Sequence, residues 1–395
     1  MGAHESTLDI RNGGDETSRD DPVFDSLSTS VSQFTSTDRL YGATSAPELR
    51  TNPIRPKELL KNLRRFHREK VRQSSTDTQW AKQLVYEQTQ KLLAYGKKQT
   101  GILRSMEYVG STYERLESTR GNEFHVFVVL KTLPGDVVVE DVVPHLYSTL
   151  KLCKEDDDVR LAKLTDKRGY FRPEKMQNWL DKLAQDWNEN TRSFSDAARV
   201  RTQKHGSAVE IFVRDTNRGG SVTAEMVPCL KIPDDTGSPR YYVPYAFQDY
   251  TRPELGSNAD LSILWCRTFS LKERDIVSSL DRTNGGTCRL ECLKILKFIF
   301  RSDRKLRLFQ FYLIKTAFLH YNAMETEWRA DQLGERFLGM LRYIQECLKR
   351  KDLQHYFLRD VNLLKGLSGS SIRTVDGRIQ QLLMDERQLF SAISA

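Results

Sequence analysis

Residues 108–130 read YVGSTYERLESTRGNEFHVFVVL, a Gly-Ser dipeptide followed at a short distance by an acidic, strand-like segment. The apolar and β-branched residues of Glu123–Leu130 predict a β-strand there. Side chains alternate across a strand, so Glu123 and His125 should share one face while Phe124, Val126 and Val128 point the other way. The segment therefore predicts one face for chemistry and one face for the core.

The charged positions of this strand suggest a metal-dependent phosphoryl transfer site. Such sites use two carboxylates to hold magnesium or manganese between a triphosphate and the attacking hydroxyl. Here the second position is His125, and a third carboxylate has to come from a neighbouring strand. Glu225, in VTAEMVP, and Glu210, in SAVEIFV, are the two candidates, and a lone strand glutamate is more often a solvated edge residue.

Composition limits the class of protein. The 395 residues have 38% hydrophobic content and a net charge of +8, and residues 1–52 are acidic, which makes the remainder more basic still. A basic body favours phosphate-bearing partners such as nucleotides or nucleic acid.

The six cysteines include no Cys-x-x-Cys pair. With no apparent signal peptide or membrane span, we expect reduced thiols and a cytoplasmic or nuclear location. Gly2 with Ser6 fits the loose myristoylation pattern.

Shifts in composition divide the chain into three parts. Residues 1–52 are rich in Ser, Thr, Asp and Gly and are predicted to be a disordered tail. Residues 53–255 should contain a long spine helix, starting near Pro56 and interrupted near residues 74–77, and then a mixed set of strands and helices. Residues 256–395 have helical periodicity almost throughout and should form a second, helical lobe.

Several ordered segments carry a resemblance to a known family. The chain resembles cyclic GMP-AMP synthase, the cyclic GMP-AMP synthase-like receptors and the male-abnormal-twenty-one (Mab-21) family over roughly residues 56–365. The matching segments are GS at 110–111, NEF at 122–124, GSAV at 206–209, EMVP at 225–228, FSLKE at 269–273, CLKILK at 292–297, FYLIKTA at 311–317 and HYF at 355–357. This resemblance implies an α+β, bilobal nucleotidyltransferase fold. A mixed β-sheet lobe with a long spine helix should join a C-terminal helical lobe.

The resemblance also implies roles for individual residues. Gly110 and Ser111 would cradle a triphosphate, and glycine does permit close approach of the backbone. The metal triad would be Glu123, His125 and Glu225, which favours Glu225 over Glu210. The further nucleotide contacts would be Lys297 on a phosphate, Tyr312 stacked on a base, and Thr268 and Ser270 on a base edge. On the residues alone, Lys297 is better explained as one charge on the exposed face of a helix, and Tyr312 as a core residue.

Two departures from the family pattern bear on function. Neutral imidazole at His125 carries no negative charge and prefers softer ions, so the expected Mg²⁺ or Mn²⁺ site is weakened or altered. The vertebrate enzyme has a zinc-binding insertion with one histidine and three cysteines. The corresponding residues 281–292 contain Cys288 and Cys292 but no histidine. Because tetrahedral zinc needs four ligands, we expect no structural zinc here, as in the invertebrate receptors.

Two basic segments are candidates for nucleic-acid binding. They lie on the spine and on the helical lobe, and could track the phosphates of duplex RNA or DNA; the residues are Lys61, Arg64, Arg65, Arg68 and Arg72, and Arg301, Arg304, Lys305 and Arg307. A charge run also fits a solvated face.

Three interpretations follow from the resemblance. The first is a nucleic-acid-activated synthase that makes a cyclic dinucleotide from ATP and GTP in innate immune signalling, with homodimerisation on its ligand as a further expectation. The second is a catalytically silent binder of nucleotide or nucleic acid. The third is a structural or developmental interaction protein.

Overall fold

The computed structural model describes ten segments of the chain, all within one compact unit. They are residues 55–118, 124–132, 135–143, 145–153, 159–191, 198–234, 236–247, 255, 259–280 and 287–393. The predicted disordered tail, with its myristoylation pattern, lies outside these residues, as does Glu123.

Ten α-helices occur in the described residues, and no helix among them is long and apolar enough to cross a bilayer. In chain order they are α1 (Pro56–Phe66), α2 (Ser75–Thr100), α3 (Val159–Ala162), α4 (Pro173–Thr191), α5 (Ser270–Ser279), α6 (Arg289–Ser302), α7 (Phe311–Met324), α8 (Leu333–Arg350), α9 (Gly369–Met384) and α10 (Glu386–Ala392).

Eleven strands occur in the same residues, nine of them in one mixed sheet. They are β1 (Leu103–Val109), β2 (His125–Leu130), β3 (Val137–Val143), β4 (Tyr147–Leu152), β5 (Ala198–His205), β6 (Ala208–Asp215), β7 (Ser221–Pro233), β8 (Pro239–Pro244), β9 (Leu264–Thr268), β10 (Gln354–His355) and β11 (Leu358–Asn362).

The predicted spine is an interrupted helix. A π-helical turn at His67–Val71 ends the first part, and the Ser74 hydroxyl accepts a hydrogen bond from the backbone of Asp77 at the start of α2. An N-cap serine satisfies a backbone donor that no helical carbonyl can reach. α2 then continues for 26 residues to Gly101, whose φ of +68° suits a glycine C-cap.

The sheet separates two hydrophobic cores. Its strand order is β1-β2-β7-β8-β9-β4-β3, and β6 pairs with both β5 and β7. Side chains alternate along β2, so Phe127 and Val129 join the core shared with the helical lobe while Val126 and Val128 join the core under α2 and α4. His125 therefore lies on the face of β2 that is directed towards the helical lobe.

The described strands differ from the prediction in two places. Residues 264–268, in the region predicted to be helical almost throughout, form β9 and pair with β4 and β8. The sheet thus extends past the boundary predicted at residues 255 and 256. Residues 354–362 form the small hairpin of β10 and β11. α1 also packs across that boundary, since Phe66 contacts Phe298 of α6 edge to face at 5.3 Å.

Candidate active site

His125 and Glu225 are brought together by the parallel pairing of β2 with β7. The register places these two residues directly beside each other, and the backbone N–H of Glu225 donates to the carbonyl of Phe124 at 2.8 Å. Paired residues of adjacent strands share a face. His125 Nε2 accordingly lies 3.4 Å from Glu225 Oε2. The ring of Phe247 packs edge to face against the His125 imidazole, with centroids 5.2 Å apart.

On the other side of Glu225, β6 contributes Glu210, which the resemblance had passed over in favour of Glu225. The antiparallel register of β6 and β7 sets Glu210 directly opposite Glu225. The β5–β6 hairpin turns at Gly206, whose φ is +55°, and brings back His205. His205 Nδ1 lies 3.2 Å from Glu225 Oε1 and 3.5 Å from Glu210 Oε1. No sequence motif identified His205, because its position depends on this hairpin.

The Gly-Ser element forms a turn at the end of β1. Gly110 has φ of +93°, a conformation that residues with a side chain rarely adopt, and its carbonyl accepts from the backbone of Tyr113 at 3.0 Å. The next residue, Ser111, is buried, and its hydroxyl has no hydrogen-bond partner among the described residues. Buried polar atoms are normally paired, so this hydroxyl is a donor available to a ligand.

Two lysines of the helical lobe hold the chain that follows this turn. Lys315 Nζ lies 2.8 Å from Glu114 Oε1 and 2.7 Å from Glu273 Oε2. Burial alone would lower the pKa of Lys315, but the two carboxylates outweigh burial and hold that pKa above its ordinary value. Lys297 is fully buried, and its ammonium donates to the carbonyl of Leu116 at 3.2 Å.

The four further residues predicted to contact the nucleotide lie at different depths from the protein surface. Ser270 and Tyr312 line the cavity described below. Thr268 is buried behind them, with its hydroxyl 2.9 Å from that of Ser270. Lys297 lies beneath the Gly-Ser loop and does not line the cavity in this conformation. Its ammonium sits 4.9 Å from the centre of the Phe311 ring.

A cavity of about 680 Å³ lies between the sheet and the helical lobe. Six of the residues predicted from the sequence line it, namely Gly110, Ser111, His125, Glu225, Ser270 and Tyr312. The cavity also takes in Arg301 and Arg307, which the sequence analysis had assigned to a nucleic-acid surface. Both arginines are exposed. Two arginines and a buried hydroxyl that has no partner among the described residues suit this cavity to a polyphosphate, although glutamates also line it.

The described donors suit some divalent ions better than others. Magnesium prefers oxygen ligands in octahedral geometry, whereas imidazole suits zinc and other transition metals. The groups around Glu225 combine two imidazoles with carboxylate oxygens. This mixed set fits a manganese- or zinc-class ion and departs from an all-oxygen magnesium site.

Comparisons with known proteins agree with this architecture. Residues 112–241 match the Mab-21 protein nucleotidyltransferase domain, and residues 288–381 match the Mab-21 protein HhH/H2TH-like domain.

Individual relatives cover different shares of the chain. Cyclic GMP-AMP synthase-like receptor 3 of Stylophora pistillata is 30% identical over 346 residues, which are 84% of this chain and 96% of the relative. Cyclic GMP-AMP synthase of Sus scrofa is 31% identical over 116 residues, 25% of this chain and 23% of that protein. The human inositol 1,4,5-trisphosphate receptor-interacting protein is 25% identical over 173 residues, 42% of this chain and 30% of that protein. The chain therefore belongs to the Mab-21 family of nucleotidyltransferases, among the members that resemble cyclic GMP-AMP synthase.

Proposed function

We propose that the chain is a cytoplasmic cyclic-dinucleotide synthase, which joins ATP and GTP on sensing duplex RNA or DNA in innate immune signalling. One observation carries the proposal. The cavity between the lobes gathers the Gly110-Ser111 turn, His125 and Glu225 on one side and Ser270 and Tyr312 on the other. The similarity to a receptor named as cyclic GMP-AMP synthase-like, over most of both chains, supports the same function.

The triphosphate would lie against the Gly110 turn. The unpartnered hydroxyl of Ser111 would donate to a phosphate oxygen, and glycine at 110 lets the backbone come close to the ligand. Arg301 and Arg307, on the opposite wall, would neutralise negative charge. Lys297 and Lys315 would act indirectly, because they fix the loop that carries Ser111.

The base would be held on the helical lobe. The ring of Tyr312 lines the cavity while its hydroxyl lies 3.0 Å from His355 Nε2, so the ring presents a fixed face for stacking. Ser270 would hydrogen-bond a base edge, and Thr268 would orient the Ser270 hydroxyl. Stacking tolerates either purine, since every base has a π-face.

Glu123, His125 and Glu225 would form the catalytic and metal-binding triad. When a divalent ion is bound there, it supplies neutralisation of the triphosphate and a lower pKa for the attacking ribose hydroxyl. Glu225 would also accept a hydrogen bond from that hydroxyl and orient it. The imidazole of His125 would leave this site one negative charge short of a three-carboxylate set.

A catalytically silent nucleotide-binding protein is the second candidate. One observation favours it: both oxygens of Glu225 face imidazoles, Oε1 towards His205 and Oε2 towards His125. An interaction protein is the third candidate, and one similar protein is named for its interaction with an inositol trisphosphate receptor.

The test is product formation from labelled ATP and GTP by the purified chain. Magnesium and manganese are supplied separately, with and without duplex RNA and DNA, and the variants are Glu123→Ala and His125→Asp. Product from the natural chain that disappears in Glu123→Ala supports the synthase. Product from His125→Asp but not from the natural chain would overturn the synthase proposal. The natural chain would then be a nucleotide-binding protein silenced at one residue. No product from either would leave the silent nucleotide-binding protein and the interaction protein, and binding of ATP or GTP without product would favour the first of these two.

A further inference from the structure

We propose that His205, Glu210 and Glu225 form a site for one zinc-class divalent ion on the sheet side of the cavity. The inference goes beyond the proposed function, because neither His205 nor Glu210 belongs to the triad assigned to phosphoryl transfer. These three are the group of metal-ligating side chains that the described residues bring together, with their ligand atoms all within 4.8 Å of one another.

The distances suit a small tetrahedral ion. Bonds of about 2.0–2.2 Å in a tetrahedral zinc shell place the ligand atoms roughly 3.3–3.6 Å apart. His205 Nδ1 lies 3.2 Å from Glu225 Oε1 and 3.5 Å from Glu210 Oε1. These two separations match the tetrahedral spacing, and all three ligand atoms lie within 4.8 Å of one another.

The sheet register puts two carboxylates where a cation is needed. Glu210 and Glu225 are directly opposite each other on β6 and β7. Like charges directly opposite across a strand pair are destabilising. Their side chains are only 15% and 27% exposed, so water screens the repulsion poorly. A cation between them would remove this unfavourable contact.

Neighbouring groups already orient both carboxylates towards a common point. Glu210 Oε2 accepts a hydrogen bond from Gln203 Nε2 at 2.7 Å, and Glu225 Oε2 lies 3.4 Å from His125 Nε2. The Oε1 atom of each glutamate therefore turns towards His205. Such outer contacts fix the orientation of ligands in metal sites.

The ligand set also indicates the class of ion and leaves a position open. One imidazole nitrogen with two carboxylate oxygens suits zinc, cobalt or manganese better than magnesium. Three protein ligands leave the fourth tetrahedral position for water or a ligand oxygen, as in catalytic zinc sites. His205 and Glu225 both line the cavity, so a phosphate oxygen could reach that position from it.

The experiment measures metal binding directly. The full chain, stripped with chelator, is titrated calorimetrically with Zn²⁺ and with Mg²⁺, and Co²⁺ is added separately to record its visible absorption. The variants are Glu210→Gln and His205→Asn, and neither should unfold the chain, since the first is isosteric and the His205 side chain is 61% exposed. His145→Asn is the matched control, because His145 is 60% exposed, lies 3.7 Å from Asp141 Oδ2, and has a φ of +63° that asparagine tolerates.

We expect one Zn²⁺ site whose affinity falls at least tenfold in Glu210→Gln and in His205→Asn and stays unchanged in His145→Asn. We also expect intense, tetrahedral-type Co²⁺ absorption that the same two variants lose. Equal zinc binding by the natural chain and His205→Asn would overturn the inference, as would no binding at all. ATP binding measured in chelator reports on the proposed function separately, so a chain that binds ATP but lacks this zinc site would overturn only the metal proposal.

Discussion

At the scale of single residues, the site is defined by what surrounds Glu225. This carboxylate lies between an imidazole on β2 and an imidazole from the β5–β6 hairpin, with Glu210 opposite. A carboxylate at position 125 would add negative charge for magnesium, whereas histidine adds a nitrogen donor. The identity of one side chain therefore shifts the metal preference of the cavity without changing the strand that carries it.

Replacing Tyr312 separates a stacking role from a core role. Tyr312→Ala should weaken ATP or GTP binding by roughly 5- to 150-fold, because stacking of a base on an aromatic ring contributes about 1–3 kcal/mol. Tyr312→Phe keeps the ring and should bind nucleotide nearly as the natural chain does, while losing the hydroxyl contact with His355. Titration calorimetry measures the nucleotide affinities of both variants. Equal affinities of the alanine variant and the natural chain would contradict a stacking role.

The buried His355 should make folding sensitive to acid. The Phe357 backbone N–H donates to its Nδ1 at 3.1 Å, so Nδ1 carries no proton in the folded chain. Burial lowers the pKa of His355 from 6.5 to about 4. This group's contribution to stability is thus complete above pH 6.5 and is lost progressively as pH falls towards 4, a total of about 3 kcal/mol.

Urea unfolding at pH 7.5 and at pH 5 measures this loss. Between these two pH values, the free energy of unfolding of His355→Gln should fall by about 2 kcal/mol less than that of the natural chain. Burial also lowers the pKa of His67 to about 4. Part of the acid-induced loss of stability should therefore persist in His355→Gln. The same decline in both proteins would show that His355 is not a source of the acid sensitivity.

Residue-level prediction rested on the alternation of one strand and on the motifs of the resemblance. Gly110, Ser111, His125 and Glu225 were all identified from the sequence, and all line the cavity. Glu210 was weighed as the third carboxylate and set aside on the resemblance. His205 was not assigned to the site, because its nearness to Glu225 depends on which strands pair and in what register. Lys297 was placed on a phosphate, and its burial beneath the Gly-Ser loop reflects packing between lobes that one helix pattern does not reveal.

At the scale of elements, the loop after β1 links the two lobes. It carries Ser111 at the cavity, and three residues later it carries Glu114, which is buried against Lys315 of α7. Glu273 of α5 completes the same ion cluster. The position of the phosphate-binding turn is therefore tied to the helical lobe by charge pairing that water does not screen.

Removing the lysine from this cluster should be costly. Lys315→Met leaves Glu114 and Glu273 buried and unpaired, and breaking a buried ion pair costs about 3–5 kcal/mol. Urea denaturation at pH 7 measures the change in the free energy of unfolding. Arg168→Met, which removes an exposed cation paired with Asp166, is the control and should change stability by less than about 1 kcal/mol. Equal effects of the two variants would contradict a structural role for the cluster.

Element prediction was accurate for strongly patterned segments and failed for short ones. The strand expected at residues 123–130 is observed as His125–Leu130, and the spine helix expected from about Pro56 begins at that residue. β9 has only five residues and lies just before a helix, so its apolar run was absorbed into the helical pattern. The β10–β11 hairpin is shorter still, and its pairing spans only residues 354–362.

At the scale of the whole molecule, the basic residues divide into two groups. Lys61, Arg64, Arg65, Arg68 and Arg72 are exposed on the spine, as expected for a phosphate-tracking surface. Arg64 also donates to the carbonyl of Ala330, and Arg68 lies 3.6 Å from Glu69. On the helical lobe, Arg301 and Arg307 face the cavity, whereas Arg304 and Lys305 line a separate hollow.

The spine residues should give salt-dependent, sequence-blind binding to a duplex. Lys61→Glu with Arg65→Glu should weaken binding of duplex RNA or DNA and flatten its dependence on salt, since each lost phosphate contact lowers the slope by about 0.9 for B-DNA. Fluorescence anisotropy at several salt concentrations measures this. An unchanged slope in the double variant would assign these residues to a solvated face.

The central claim is that the cavity between the lobes binds a nucleoside triphosphate. The most direct measurement is the affinity of the full chain for ATP and GTP by titration calorimetry, with Arg307→Ala compared against Arg304→Ala. Both arginines are exposed and three residues apart, but only Arg307 lines this cavity. The account predicts binding that falls at least tenfold in Arg307→Ala and is unchanged in Arg304→Ala. No binding by the natural chain, or equal losses in the two variants, would contradict it.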